Sequence, residues 1–64
     1  MNIGKNIKRL RAERGWSQQT LAEKSGLRAG TWIGRIENNR KIPRIGTLKK
    51  LAKALGCAVA DIVK

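Results

Sequence analysis

The side chains able to do chemistry in this sequence are overwhelmingly cationic. Fifteen Lys and Arg stand against Glu13, Glu23, Glu37 and Asp61, a formal net charge of +11 at pH 7. Four polar or cationic donors, Asn38, Arg40, Lys41 and Arg44, fall within a single seven-residue stretch. Groups of this kind hold phosphates and carboxylates rather than break bonds. So large an excess of one sign over 64 residues repels itself unless counter-charge is bound in use. A polyanion is the expected partner, and nucleic acid stands ahead of a merely soluble cationic surface. Bond-making chemistry has little to draw on. There is no His, the carboxylates are scattered, and no phosphate-cradling glycine loop opens a helix after a strand, so no enzyme, metal or cofactor is expected. Cys57 is alone, which rules out an intrachain disulfide, suits a cytoplasmic setting and suggests a small core hydrophobe. No apolar run approaches the roughly 18 residues of a membrane span, and no secretion signal follows the first residues.

Short helices must position these cations. Ile3, Ile7 and Leu10 recur at helical spacing while Lys5, Lys8, Arg9 and Arg11 fill the other faces, so a first helix is expected after Asn2 and should end at Gly15. Ser17 is a good N-cap for a second, two-turn helix that turns Leu21 and Ala22 inward and stops at Ser25-Gly26. Arg28 to Asn38 reads as a third helix with Ile36 inward, although Gly30 and Gly34 each cost about 1 kcal/mol relative to Ala. The polar, basic stretch from Asn38 to Pro43 reads as a loop. Leu48, Leu51, Ala52 and Leu55 then mark a fourth helix ending at Gly56, and Val59, Ile62 and Val63 a short fifth. No strand-like alternation competes. With no Phe or Tyr, the core must come from Ile, Leu, Val and Ala, with Trp16 and Trp32 as further contributors. The expected fold class is all-α, a compact bundle of about five short helices forming one domain over residues 1–64.

The run Trp16-Ser17-Gln18-Gln19-Thr20-Leu21-Ala22-Glu23-Lys24-Ser25-Gly26-Leu27 resembles the first helix and turn of the helix-turn-helix in lambdoid-phage repressor and Cro proteins. Ala22 is small where two helices must cross, Gly26 can take the positive φ of the turn, and Leu21 and Leu27 can pin both helices to a core. The likeness continues through Arg35-Ile36-Glu37-Asn38, Pro43, the run from Thr47 to Gly56, Ala58-Val59 and Asp61-Ile62, so it covers essentially the whole chain. One departure stands out. From Gly26 to Glu37 the sequence is one residue longer than the family pattern, with Trp32 beside Ile33 where one core hydrophobe is usual. Counting from Gly26 turns Trp32 inward, and counting back from Glu37 turns Ile33 inward; both spacings share a helical face with Ile36. The extra residue either lengthens the turn around Arg28-Ala29-Gly30, the reading Gly30 favours, or sits as a π-bulge.

The resemblance implies a transcriptional regulator, a repressor that binds double-stranded DNA with its third helix in the major groove of a two-fold symmetric operator. By motif position Gln18 would bond a phosphate at the start of the second helix, and Arg28, Thr31 and Arg35 would meet base edges. Asn38, Arg40, Lys41 and Arg44 would flank the second backbone contact. Arg11 and Glu37 match an ion pair that would hold the first helix to the third and turn Arg11 toward a phosphate. A weak homodimer, formed mainly on DNA, would use the loop before the fourth helix and the residues from Cys57 to Val63. Two rival readings remain: an interaction or antitoxin-like module with Trp32 and Ile33 as an exposed apolar patch, and a designed or altered scaffold binding DNA without specificity. A membrane-active cationic helix is set aside, because short capped helices interrupted by glycine and proline point to a folded domain, and neither a membrane nor a small-molecule substrate is expected as a partner.

Overall fold

The periodicities of the sequence are realised as helices α1 (Ile3–Glu13), α2 (Gln18–Ser25), α3 (Gly30–Glu37), α4 (Ile45–Leu55) and α5 (Val59–Val63) in a computed structural model that describes residues 2–27 and 30–64. Among the described residues there is no strand, and no helix is long and apolar enough to cross a membrane. Arg28 and Ala29 lie outside the described residues, so α3 is followed from Gly30 rather than from the expected Arg28, and it ends one residue earlier than expected, at Glu37.

The helix ends carry the signals expected of them. Ser17 has extended backbone and its Oγ accepts the Thr20 N–H at 3.0 Å, which satisfies one of the donors left orphaned in a first turn. Gly26 closes α2 with φ of 76°, a left-handed conformation that a Cβ disfavours, and its N–H and that of Leu27 return to the last carbonyls of the helix. Gly56 ends α4 in the same way. At the start of α5 the Asp61 carboxylate accepts the Ala58 N–H at 3.0 Å. Two caps lay beyond a reading of local sequence. Gln19 Oε1, on α2, accepts the Gly30 N–H at 3.0 Å and so caps α3 from a neighbouring helix, and Asn39 takes a left-handed φ of 59° that turns the chain out of α3.

The core is aliphatic. Ile7, Leu21, Ile33, Ile36, Leu51, Leu55 and Ile62 are fully enclosed, one or two from each helix, and each buried side chain contributes roughly 1.5–3 kcal/mol. Trp16, Leu27, Trp32, Cys57, Val59 and Val63 pack against this core from its edge. Burial raises the Cys57 thiol above its ordinary pKa, with Asp61 adding to the effect. Of the two registers open for α3, the one counted back from Glu37 is realised: Ile33 is enclosed, while Trp32 is half-buried at the rim. All of Gly30–Glu37 is α-helical, which removes the π-bulge from these residues.

Helix α3 packs on both α1 and α2, while α2 also meets α4, and α5 closes the bundle against α1 and α4. Two of these approaches require glycine. A Cβ at Gly30 would lie 2.8 Å from the backbone N of Gln19, and one at Gly4 would collide with the carbonyl oxygens of Ile36 and Glu37. By contrast, a Cβ at Gly46, in the first turn of α4, meets open space. Gly4→Ala is therefore expected to destabilise the fold by about 1–3 kcal/mol through overpacking, whereas Gly46→Ala stabilises it by up to about 1 kcal/mol. Thermal unfolding followed by circular dichroism distinguishes the two, since about 1 kcal/mol moves the midpoint by roughly 4–8 °C in so small a domain.

Candidate nucleic-acid interface

The outer face of α3 is held in place from behind by one ion pair. Arg11, on α1, donates from Nε to Glu37 Oε2 at 2.7 Å and from Nη2 to Glu37 Oε1 at 3.0 Å, and its Nη1 donates to the Trp16 carbonyl at 2.7 Å. The Glu37 side chain is only 3% exposed and that of Arg11 15%. The paired carboxylate raises the Arg11 pKa above its ordinary value, chiefly through the hydrogen bond, against the opposing effect of burial. The guanidinium thus ties α1, the entry to α2 and the end of α3 together. It also neutralises the carboxylate nearest the outer face of α3.

On that outer face lies a shallow open groove of about 410 Å³ lined by Gln18, Thr31, Gly34, Arg35, Asn38 and Arg40. Residues 31, 34, 35 and 38 share one face of a helix by spacing. No carboxylate lines the groove. Its chemistry is that of amide, hydroxyl and guanidinium groups, which can donate to phosphate oxygens and to base edges alike.

Most residues singled out in the sequence come together here. Gln18, Thr31, Arg35, Asn38 and Arg40 line the groove, and Arg11 stands behind it on Glu37, the ion pair expected of these two residues. Gln18 does more than lie at the start of α2. Its Nε2 donates to Glu37 Oε1 at 3.2 Å, and its amide covers Gly34, where a Cβ would come within 3.2 Å of Gln18 Oε1. Lys41 is not in the groove; its ammonium sits 4.1 Å from the centre of the Trp32 ring, a cation–π contact at the groove's flank. Arg44 is the exposed N-cap of α4. Arg28 lies outside the described residues. The apolar patch expected at Trp32 and Ile33 is not formed, because Ile33 is enclosed and Lys41 covers Trp32; among the described residues the large exposed apolar side chains are Ile42 and Ile45. Gln19, Gly34 and Trp32 are the positions whose role here the sequence did not disclose, since each depends on a partner at least nine residues away.

Helices α2 and α3, joined by a left-handed glycine and presenting the second helix outward on a bundle of three others, define the helix-turn-helix class. The helix-turn-helix family model matches residues 7–62, and the chain belongs to that family. It is 41% identical over 63 residues to the immunity repressor protein of Bacillus phage phi105, covering 98% of this chain and 43% of that protein. Thus the chain spans less than half the length of the phage repressor. Among solved structures, it is similar to the restriction-modification controller protein C.AhdI from Aeromonas hydrophila, with a TM-score of 0.89, 31% identity and coverage of 95% and 91% of the two chains. It is equally similar to SinR, the master regulator for biofilm formation, in complex with DNA, with a TM-score of 0.89, 36% identity and coverage of 97% and 98%.

Glu37→Gln removes the charge that Arg11 is buried against and is expected to cost roughly 3 kcal/mol, the low end for breaking such a pair because Arg11 keeps some solvent. The double change Arg11→Met with Glu37→Leu should recover most of that loss, because no uncompensated charge is left inside. Urea titrations of the two variants and the parent measure both effects, and equal instability of single and double variants would contradict the account.

Proposed function

We propose that this chain is a DNA-binding transcriptional regulator, a repressor that lays α3 in the major groove of a two-fold symmetric operator, with residues 1–64 acting as one DNA-binding domain. The observation that carries this reading is the carboxylate-free groove on the outer face of α3, continuous at Asn38 and Arg40 with the basic loop. Two of the similar proteins are described in the same terms, one as an immunity repressor and one in complex with DNA.

Thr31 and Arg35 face bases in this reading. Arg can grip guanine O6 and N7 bidentately, and the Thr methyl can touch thymine. Arg28, three residues before Thr31 in the sequence, would join them by motif position. Asn38, Arg40, Lys41 and Arg44 meet the phosphates that follow, with Lys41 reaching the backbone from its perch on Trp32. Three of the five guanidinium hydrogens of Arg11 are spent on Glu37 and the Trp16 carbonyl, so any phosphate contact falls to the remaining two. The free amides in the first turn of α2 add a favourable end for one phosphate. A second copy on the neighbouring half-site, about 34–36 Å away, would be met through the loop before α4 and the segment from Cys57 to Val63. Ile42 and Ile45, 74% and 62% exposed, lie in and beside that loop. Such a dimer is proposed to be weak and to form mainly on DNA, where the two half-sites hold the copies together.

Selection of binding sites from a random duplex library at near-physiological salt tests the reading. The expected outcome is an enriched two-fold symmetric motif. Arg35→Ala should then relax one position of each half-site by about 1–3 kcal/mol, and affinity should fall by about 0.9 log unit per log unit of salt for each phosphate neutralised. Strong salt dependence with no motif would mean non-specific binding and would sink the proposal.

A further inference from the structure

We infer that Gln18 is a base-reading residue, presented to the major groove as a substitute for the side chain that Gly34 lacks, and that the edge it reads is adenine. This rests on the proposed insertion of α3 into the major groove, and it departs from the phosphate contact that the place of Gln18 at the start of α2 suggests. Three observations lead there. The Gln18 amide lies over Gly34, with Oε1, Nε2 and Cδ at 3.2, 3.4 and 3.6 Å from where a Cβ of residue 34 would stand. It therefore occupies the space into which residue 34 of the recognition helix would project its own side chain. That position lies between Thr31 and Asn38 on the same face and lines the same groove.

The second observation settles which way the amide faces. Glu37 is ionised against Arg11 and can only accept, so the atom 3.2 Å from its Oε1 is the Gln18 nitrogen and the oxygen points away from the carboxylate. One N–H is spent on Glu37. Among the described residues no partner takes the second N–H or the carbonyl oxygen, so the amide offers a donor and an acceptor side by side. Adenine shows the complementary pair in the major groove, an N6 donor beside an N7 acceptor. An ionised phosphate shows acceptors only, so it could take the remaining N–H but would leave the carbonyl oxygen unmatched, whereas adenine uses both.

The third observation is that the amide is anchored. Glu37 is held by Arg11, and Arg11 by α1 and the Trp16 carbonyl, so Gln18 gives up its side-chain freedom on folding rather than on binding. Gly34 is the permissive half of the device. Any Cβ there is tighter against the amide than ordinary contact and displaces it by a few tenths of an ångström.

The test compares the sites selected from a random duplex library by the parent chain, Gln18→Ala and Gly34→Ala, with affinity for the parent's preferred site measured against salt. Circular dichroism melts verify that each variant folds. For Gln18→Ala the inference expects a preference for adenine at one position per half-site to fall about tenfold, with other positions and the salt slope unchanged. Gly34→Ala, which keeps Gln18 and moves its amide, should weaken the same position by a smaller factor. A uniform loss across all sequences with a salt slope lower by about one phosphate would overturn it in favour of a backbone contact. An unchanged motif in Gln18→Ala would overturn it equally. If the parent chain selects no motif at all, the fault lies with the DNA-reading function itself, and this inference falls with it.

Discussion

The Arg11–Glu37 pair is the contact on which the rest of this small structure hangs. Its two parallel hydrogen bonds join α1 to the last residue of α3, and a third bond from the same guanidinium reaches the chain as it enters α2. A fork of fixed geometry sets direction as well as distance. Burying two opposite charges is a poor way to gain stability, because desolvation offsets most of their attraction. The pair instead specifies an arrangement. It places the end of α3 against the scaffold, cancels the carboxylate nearest the outer groove, and leaves that carboxylate free to orient the Gln18 amide.

Around this pair the molecule is divided sharply between an aliphatic inside and a cationic outside. The buried core is made of Ile, Leu and Ala, with the two tryptophans kept to its edge, and Gly4 and Gly30 mark where one helix comes close to the backbone of another. Gly34 belongs to the same pattern but looks outward. Its cost to helix propensity is about 1 kcal/mol, and the space it leaves is filled by a polar amide from a neighbouring helix. Trp32 is used in a parallel manner: it packs one side against the core and gives its ring to Lys41, so one loop cation has a defined place rather than a solvated cloud of rotamers.

Several helix ends, the apolar faces of the helices other than α3 and the likeness of the whole chain to a family were legible because they rest on local features. Ile3, Ile7 and Leu10, or Leu48, Leu51 and Leu55, repeat at the helical period, and Ser17, Gly26 and Gly56 carry their capping chemistry wherever the chain goes. Charge was legible for the same reason, since it is a sum over side chains and needs no geometry. The groove was legible in part. Thr31, Arg35, Asn38 and Arg40 could be placed by motif, but Gln19 as the cap of α3 and Lys41 on Trp32 join residues separated by nine or more positions, for which spacing along the chain holds no signal.

By itself, then, the sequence determined that the chain forms short amphipathic helices with a strong positive charge, because period, caps and charge are properties of adjacent residues. It did not determine the register of α3. Trp32 and Ile33 both lie within a turn of Ile36, and a slip of one residue rotates every side chain by about 100°. Only packing chose between them: Ile33 is fully enclosed in the core, on a helix that packs on α1 and α2, whereas the indole, with its N–H to satisfy, stays at the rim under a lysine. That choice also decided what faces outward, setting Gly34 beneath Gln18 and Arg35 beside it. The outer groove is thus a tertiary property, since its shape depends on how three helices that are not consecutive turns of one chain lock against the Arg11–Glu37 ion pair.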